Sequence, residues 1–460
     1  MNDAPGPADL PALPVRDALP ALRSALEERA SAVLVAPPGA GKTTLAPLAL
    51  LDEAWLGGRK IVVLEPRRLA TRAAAQRMAE LLGEPDAGGT VGYRMRLDTQ
   101  VGPGTRVEVV TEGILTRMLQ SDPSLDDVGL VVFDEFHERS LQADLGLALS
   151  LHARKLFRPD LRLLVMSATL DADPVAALLG EAPVIRSEGR TWPVETRWRE
   201  TAVTGWIEPA VVDAVVHALA QDEGDILAFL PGAAEIRRTE ERLREAELPG
   251  GVEIHALFGL LPRADQDRAL RPAPPGQRKV VLASAIAESS LTIEGTRVVV
   301  DAGLMRVPRF DPGTGMTRLE TLRVTRDAAD QRRGRAGRTA PGVCYRLWTR
   351  HEERGLVPER APEIREADLA PVLLDLAAWG AEAGELPWLD PPPGAALAQA
   401  RELLEELEAL DPEGALTDHG RDMAALGIHP RLAHMVLVGR EHGGKILACA
   451  AAALLEERDV

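Results

Sequence analysis

The sequence predicts an α/β protein, with two doubly wound domains in tandem followed by a smaller helical region. Three observations carry that expectation. Short apolar runs of strand length alternate with helical stretches in two successive series, the pattern of parallel sheets buried under helices. A glycine-rich turn, Ala36-Pro-Pro-Gly-Ala-Gly-Lys-Thr-Thr44, stands between an apolar run and a helix in the first series. Beyond residue 363 the strand-like runs stop and only helical spacing continues.

Taken in order, residues 7–20 are proline-rich and read as an irregular lead-in, while 21–30 has helical spacing. Residues 32–36, 60–64, 107–111, 130–133 and 161–166 read as buried parallel strands, with a helix at 45–51. The first domain is expected to end near Ser187, and 187–193 reads as a linker. The second series places strands at 225–230, 252–256, 279–283, 297–301 and 343–347. Within 301–325, Asp311-Pro-Gly-Thr-Gly315 between β-compatible flanks signals a hairpin. Helices are expected at 369–379, 395–410 and 418–426, broken by Pro391-Pro-Pro393, and then at 431–440 and 445–457. The expected divisions are 1–188, 189–355, 356–428 and 429–460. The last stretch is an apolar alanine-leucine helix with nothing after it to bury it, so a truncated polypeptide is expected.

A chain of 460 residues is too long for one core and fits about three domains. Hydrophobic content of 45% and charged content of 27% are those of a soluble globular protein. No apolar run reaches the roughly 18–20 residues that span a bilayer, so no membrane partner is expected. The acidic, proline-rich start lacks the regions of a signal peptide, and the two cysteines, Cys344 and Cys449, are too far apart for metal-ligand spacing. A reducing cytoplasmic location follows. The net charge of −17 argues against a generally basic nucleic-acid coat, but a channel needs only a local positive lining. Between residues 318 and 338, seven arginines face three acids. With aromatics at 3%, stacking on many rings is not the main grip on a partner.

The turn at 36–44 carries the first chemistry. Gly39 and Gly41, with Ala40 between them, let backbone N–H groups form a nest for phosphate oxygens. The following helix points its positive end at the same place. Lys42 is placed to reach the β- and γ-phosphates, the Thr43 hydroxyl to ligate Mg²⁺, and Thr44 follows in the cradle. Ala36 stands where this phosphate-loop pattern has its first glycine. Downstream, Asp134 and Glu135 end an apolar strand, where an acid holds the Mg²⁺ and its neighbour orients or deprotonates the attacking water. Ser167-Ala-Thr169 follows another strand and is nearly meaningless alone. Gln331-Arg-Arg-Gly-Arg-Ala-Gly-Arg338 reads as a helix presenting guanidinium groups to one side. Arginine suits phosphate because its planar fork donates two parallel hydrogen bonds. Such a finger supplies about 10³–10⁵ in rate. It lies in the domain lacking the glycine loop, so the site would be complete only when two domains close.

Taken together these stretches resemble the superfamily 2 DExH/DEAH-box helicases, most closely a bacterial branch of them. The residues that carry the resemblance are APPGAGKTT at 36–44, EPRRLAT at 65–71, TEGIL at 111–115, DEFH at 134–137, SAT at 167–169, FLPG at 229–232, ASAIAESSLTI at 283–293 and QRRGRAGR at 331–338. The resemblance implies two RecA-like domains, then a winged-helix-like domain and the start of a helical ratchet domain. It implies ATP and Mg²⁺ at Gly39, Ala40, Gly41, Lys42, Thr43 and Thr44, with Thr43, Asp134 and Glu135 at the metal. It makes Glu135 the water-activating acid, Arg335 and Arg338 the fingers, and His137 the coupling to the second domain through Gln331. Segments containing Arg67, Arg68, Thr111, Glu112, Gly232, Ser284 and Thr292 would touch the nucleic-acid strand. Tyr93-Arg94-Met95-Arg96 is similar to a hook turn, adding a backbone contact at Arg94, and the hairpin would serve as a wedge. Phe136 stands where the wider family has alanine, which leaves the charged groups untouched.

The function implied is nucleic-acid-stimulated NTP hydrolysis driving 3′-to-5′ movement along, and unwinding of, RNA by a monomer. Single-stranded RNA is favoured over DNA as the partner, although grips on the backbone do not separate the two. The same motor on DNA, or an NTP-dependent clamp that unwinds nothing, are the alternatives. Nucleoside selectivity stays open, with Arg72 and Arg77 as candidates for the base.

Overall fold

The computed structural model describes residues 11–168, 171–189, 192–288, 293–311, 313 and 315–456. Its first sheet contains β1 (Ser31–Val35), β2 (Lys60–Glu65), β3 (Val91–Met95), β4 (Asp98–Gln100), β5 (Val107–Thr111), β6 (Val128–Phe133), β7 (Arg162–Ser167) and β8 (Val184–Arg186). They run in the order β4-β3-β5-β2-β6-β7-β1-β8. Every neighbour pairs in parallel except the short β3–β4 hairpin, whose pairing is antiparallel. The near-continuous valine and leucine of β1, β2, β6 and β7 are explained by burial on both faces. All five strands expected in this domain form. The strands not foreseen, β3, β4 and β8, are edge or near-edge elements of three to five residues.

The second sheet is built from β9 (Val194–Trp198), β10 (Asp225–Phe229), β11 (Val252–Leu257), β12 (Arg278–Ala283), β13 (Thr296–Asp301) and, later in the chain, β16 (Gly342–Arg346). Its order is β11-β12-β10-β13-β16-β9, again parallel throughout. Between β13 and β16 the chain leaves the sheet as an antiparallel ribbon, β14 (Leu304–Asp311) against β15 (Met316–Arg323). All of β15 is exposed.

After β16 the only strand-like pairing among the described residues is the isolated bridge of Leu410 with Leu416. Helices Ala370–Trp379, Gly394–Glu406, Asp418–Leu426, Pro430–Glu441 and Lys445–Glu456 form a helical region. It is seated on the first domain, because Leu373 and Leu376 share one core cluster with Leu115, Leu119 and Leu145. Gln120 donates to the Asp375 carboxylate across that seam at 3.0 Å. On the last helix Ile446 is 87% exposed and Leu447 76%.

The order of the central strands positions the site. β2, β6, β7 and β1 lie side by side, so the turns leaving their carboxyl ends are contiguous. Open parallel sheets bind ligands at such ends. The helix Arg68–Leu81, which follows β2, buries Leu69 and Ala70 in a cluster with Phe229 and Val281 of the second domain. The two α/β domains therefore meet at the edge of this row of turns.

Candidate active site in the cleft between the α/β domains

The glycine loop leaves β1 and turns into the helix Lys42–Ala49. Gly39 (φ +82°) and Gly41 (φ +88°) occupy the left-handed region that side chains disfavour. A Cβ on Gly41 would also sit 2.8 Å from Leu13 Cδ1. Ala36 is fully buried and donates its N–H to the Ser167 carbonyl at 3.0 Å. It is not among the residues of positive φ, so alanine is tolerated where the pattern has glycine. Ala40 turns its N–H back onto the Pro37 carbonyl at 3.2 Å. The helix begins and ends earlier than the apolar run at 45–51 suggests. Pro47 inside it has no N–H to donate, and it ends two residues later at Ala49.

The loop faces the acids that leave β6. Lys42 Nζ lies 2.8 Å from Glu135 Oε1 and 3.8 Å from Asp134 Oδ1, and all three side chains are buried. Thr43 Oγ1 donates to Asp134 Oδ2. Thr44, the third residue of the helix, is half-buried beside them. Asp134 also accepts from the Glu135 N–H at 2.8 Å, which fixes its other oxygen. Glu135 itself holds a positive φ of 50°, a strained conformation for a side-chain-bearing residue. His137 Nδ1 is 3.4 Å from Glu135 Oε2, and among the described residues neither ring nitrogen makes a hydrogen bond. The expected link from His137 to Gln331 is thus not made as a hydrogen bond, because the ring is turned toward Glu135.

Electrostatics divide these groups. Burial alone would lower the Lys42 ammonium, but Glu135, Asp134 and Glu65 outweigh it and leave its pKa above the ordinary value. Burial would raise Glu135, yet Lys42, His137 and Arg335 hold it well below the usual carboxylate range. Burial keeps Asp134 above its ordinary value despite Lys42. Glu65, at the end of β2, is pushed well above it by burial and then by Asp134 and Glu135. In the sequence Glu65 stands only as the first residue of the stretch EPRRLAT. Its signal was position, since it ends the strand next to β6. One buried lysine therefore faces three buried acids. A surplus of carboxylate and hydroxyl oxygens beside a phosphate nest is the donor set of a hard cation, so Thr43 and Asp134 fit Mg²⁺.

The second domain closes the site. Its helix Arg326–Gly334 is followed by a tight turn, Arg335–Gly337, so the arginine motif is not one helix. Nor do its arginines share a side. Arg332 is 1% exposed, pairs with Asp301 at 2.9 Å and Glu288 at 3.0 Å, and lies 5.1 Å from the centre of the Phe229 ring. It belongs to the core of its own domain, whereas Arg333 pairs outward with Asp330 at 3.6 Å. Arg335 and Arg338 turn toward the cleft. A Cβ on Gly39 would lie 3.9 Å from Arg338 Cδ, so that side chain crosses to the glycine loop. Burial and Arg338 lower the Arg335 pKa well below its ordinary value, and burial lowers Arg338 to about 10. Gln331 is half-buried on the same helix.

The expected strand contacts fare differently. Arg68 is exposed at its helix start, and Thr111 and Ser284 are half-buried, Thr111 as the last residue of β5 and Ser284 just after β12. Thr292 lies outside the described residues, as does Thr169. Arg67 instead binds Glu138 at 3.0 Å and the Ala285 carbonyl of the second domain. Arg94 is held 2.7 Å from the buried Glu108. Glu112 accepts from Ser140 Oγ at 2.6 Å, and burial raises its pKa to about 8. Gly232 is buried beneath Arg306, whose Nη1 would lie 2.5 Å from a Cβ there. For Arg67, Arg94 and Glu112 the partners lie far away in sequence, so spacing gave no warning of them. A cavity of about 290 Å³ opens where the first domain meets the helical region. Thr111, Arg96, Arg117, Gln142 and His429 line it.

Fold and site together define a tandem RecA-like protein whose candidate nucleotide site lies between its domains. Residues 16–178 match the DEAD/DEAH box helicase family, and residues 210–340 match the helicase conserved C-terminal domain. The chain belongs to the DEAD/DEAH-box helicases. It is 50% identical over 446 residues to the ATP-dependent RNA helicase HrpB of Escherichia coli (strain K12). It is 37% identical over 419 residues to the pre-mRNA-splicing factor ATP-dependent RNA helicase prp22 of Schizosaccharomyces pombe. Those alignments take in 97% and 89% of this chain, but the chain spans only 55% and 36% of those relatives. The crystal structure of Escherichia coli DEAH/RHA helicase HrpB superposes with a TM-score of 0.91 at 49% identity. It covers 97% of this chain and 57% of that one.

Proposed function

We propose that this chain hydrolyses ATP at the cleft and that single-stranded RNA stimulates the reaction. The observation that carries the reading is the meeting of Lys42, Thr43, Asp134 and Glu135 with Arg338 of the second domain at Gly39. Backbone N–H groups of the loop and Lys42 hold the phosphates of the substrate. Thr43 and Asp134 would hold a bound Mg²⁺, which would supply charge neutralisation at those phosphates. Glu135, kept ionised beside Lys42, orients the attacking water and accepts its proton. Arg335 and Arg338 stabilise the charge that develops on the transferred phosphoryl group.

Closure and reopening of the two domains shift the strand, 3′ to 5′ in this reading, with Arg68, Thr111 and Ser284 on its backbone. The helical region, read as winged-helix-like and then ratchet-like, forms the far wall of that path. Its support is the cavity lined by Thr111 and His429 at the seam. RNA is favoured because both relatives carry RNA helicase in their names. Phosphate release measured with no nucleic acid, single-stranded RNA and single-stranded DNA tests the strand-stimulated hydrolysis. Turnover that rises with RNA supports the proposal. Turnover indifferent to both strands would leave a clamp instead, and stimulation by DNA alone would reassign the substrate.

A further inference from the structure

We infer that Arg67 positions the Arg335 finger, by holding the turn Ala285–Ala287 of the second domain against Glu138 of the first. The inference rests on the hydrolytic reading of the cleft. Arg67 leaves β2 immediately before the helix Arg68–Leu81, whose Leu69 and Ala70 are buried in the second domain's cluster. Its guanidinium is therefore anchored where the domains already touch. One terminal nitrogen, Nη2, donates to Glu138 Oε2 at 3.0 Å, and Glu138 closes the short turn that follows Asp134 and Glu135. The other, Nη1, donates to the carbonyl of Ala285.

That carbonyl is shared. It also accepts the Glu288 N–H at 3.0 Å, which closes the turn Ala285–Ala287. The carbonyl of Glu288 in turn accepts Arg335 Nε at 3.1 Å, and its side chain binds Arg332 at 3.0 Å. The chain of contacts runs from Glu138 through Arg67, Ala285 and Glu288 to Arg335, with no link longer than one side chain or one tight turn. A planar fork with two donors serves two acceptors on different domains, which a point ammonium does not. With both terminal nitrogens engaged and the side chain only 25% exposed, little of Arg67 is offered to a strand.

The test measures ATP turnover of the whole chain at saturating single-stranded RNA, beside strand affinity by fluorescence anisotropy. Arg67→Gln is expected to lower kcat about tenfold while KM for ATP and strand Kd stay within about twofold. Glu138→Gln, which cuts the relay at its other end, should give the same loss. In single turnovers Arg67→Gln should add nothing to Arg335→Ala, since both remove one coupled arrangement. A weakened strand Kd with unchanged saturating kcat would place Arg67 on the strand and overturn the inference. So would losses that multiply with Arg335→Ala. If Arg67→Gln melts early, Arg67→Lys is read instead: kcat should fall with strand Kd unchanged, and full kcat refutes the relay. A wild-type chain without strand-stimulated turnover would refute the hydrolytic reading itself, a separate outcome.

Discussion

Residues decide the chemistry, and two arginines of one motif show how differently. Arg332 and Arg338 are six positions apart, yet one is sealed under Phe229 with two acids and the other reaches the glycine loop. Arg338→Ala should therefore lower turnover by on the order of 10³ while nucleotide affinity changes only a few-fold. Steady-state kinetics with a parallel nucleotide-binding titration checks it, and lost binding with normal turnover would contradict the finger role. Arg332→Ala should act through stability instead. Removing one partner of a buried pair leaves Asp301 uncompensated, at a cost of about 3–5 kcal/mol. A melt of the variant should show the second domain unfolding first.

At the scale of elements, the root of the β14–β15 ribbon and the seam with the helical region are the places to probe. Gly303, between β13 and β14, holds φ +72° with Trp348 Cε3 only 2.6 Å from where a Cβ would stand. Trp348 is fully buried, so the ring has no room to yield. Gly303→Ala should destabilise the second domain by about 2–4 kcal/mol, combining left-handed strain with overpacking. Denaturant titration followed by tryptophan fluorescence would report it, and an unchanged midpoint would show that the ribbon root is loose.

The seam has a pH dependence of definite sign. Burial raises Glu112 to about 8 and Asp375 to about 6, from ordinary values of 4.5 and 3.8. Both carboxyls thus hold protons in the folded state that the unfolded chain releases. Their contribution is complete below about pH 4 and is lost as pH rises through 6 for Asp375 and 8 for Glu112. The slope is at most about 1.4 kcal/mol per pH unit for each group. Glu112→Gln should flatten the decline in melting temperature between pH 6 and pH 8, and a profile parallel to wild type would show that Glu112 is ionised in the fold.

For the whole molecule, the proposed RNA partner raises the question of how a chain of net charge −17 would hold a polyanion. Arg96 is tied to Glu456 at 2.5 Å, Arg94 to Glu108, and Arg67 across the cleft, so these three cations near the proposed path are already engaged. Strand affinity should come from few phosphate contacts and fall with salt accordingly, by about 0.7 in log K per contact per decade. Anisotropy titrations from low to moderate salt would show it, and an affinity indifferent to salt would argue for base recognition instead.

The central parallel strands of both sheets, the glycine turn before the helix Lys42–Ala49 and the acids at the end of β6 are legible in the order of the residues. These depend on residues adjacent in the chain: an apolar run of strand length, glycines that accept positive φ, a lysine and hydroxyl at the following helix start. Local sterics and burial settle them wherever the rest of the chain lies. Which charges pair inside a domain and which face the cleft is settled by packing alone. Glu65 joined Asp134 and Glu135 because β2 pairs with β6. Arg67, Arg94 and Glu112 found partners on distant segments, and the arginine motif broke into a buried half and a cleft-facing half. A charge responds to whatever charge folding brings within a few ångströms, and in a low-dielectric interior that neighbour outweighs any preference written in spacing.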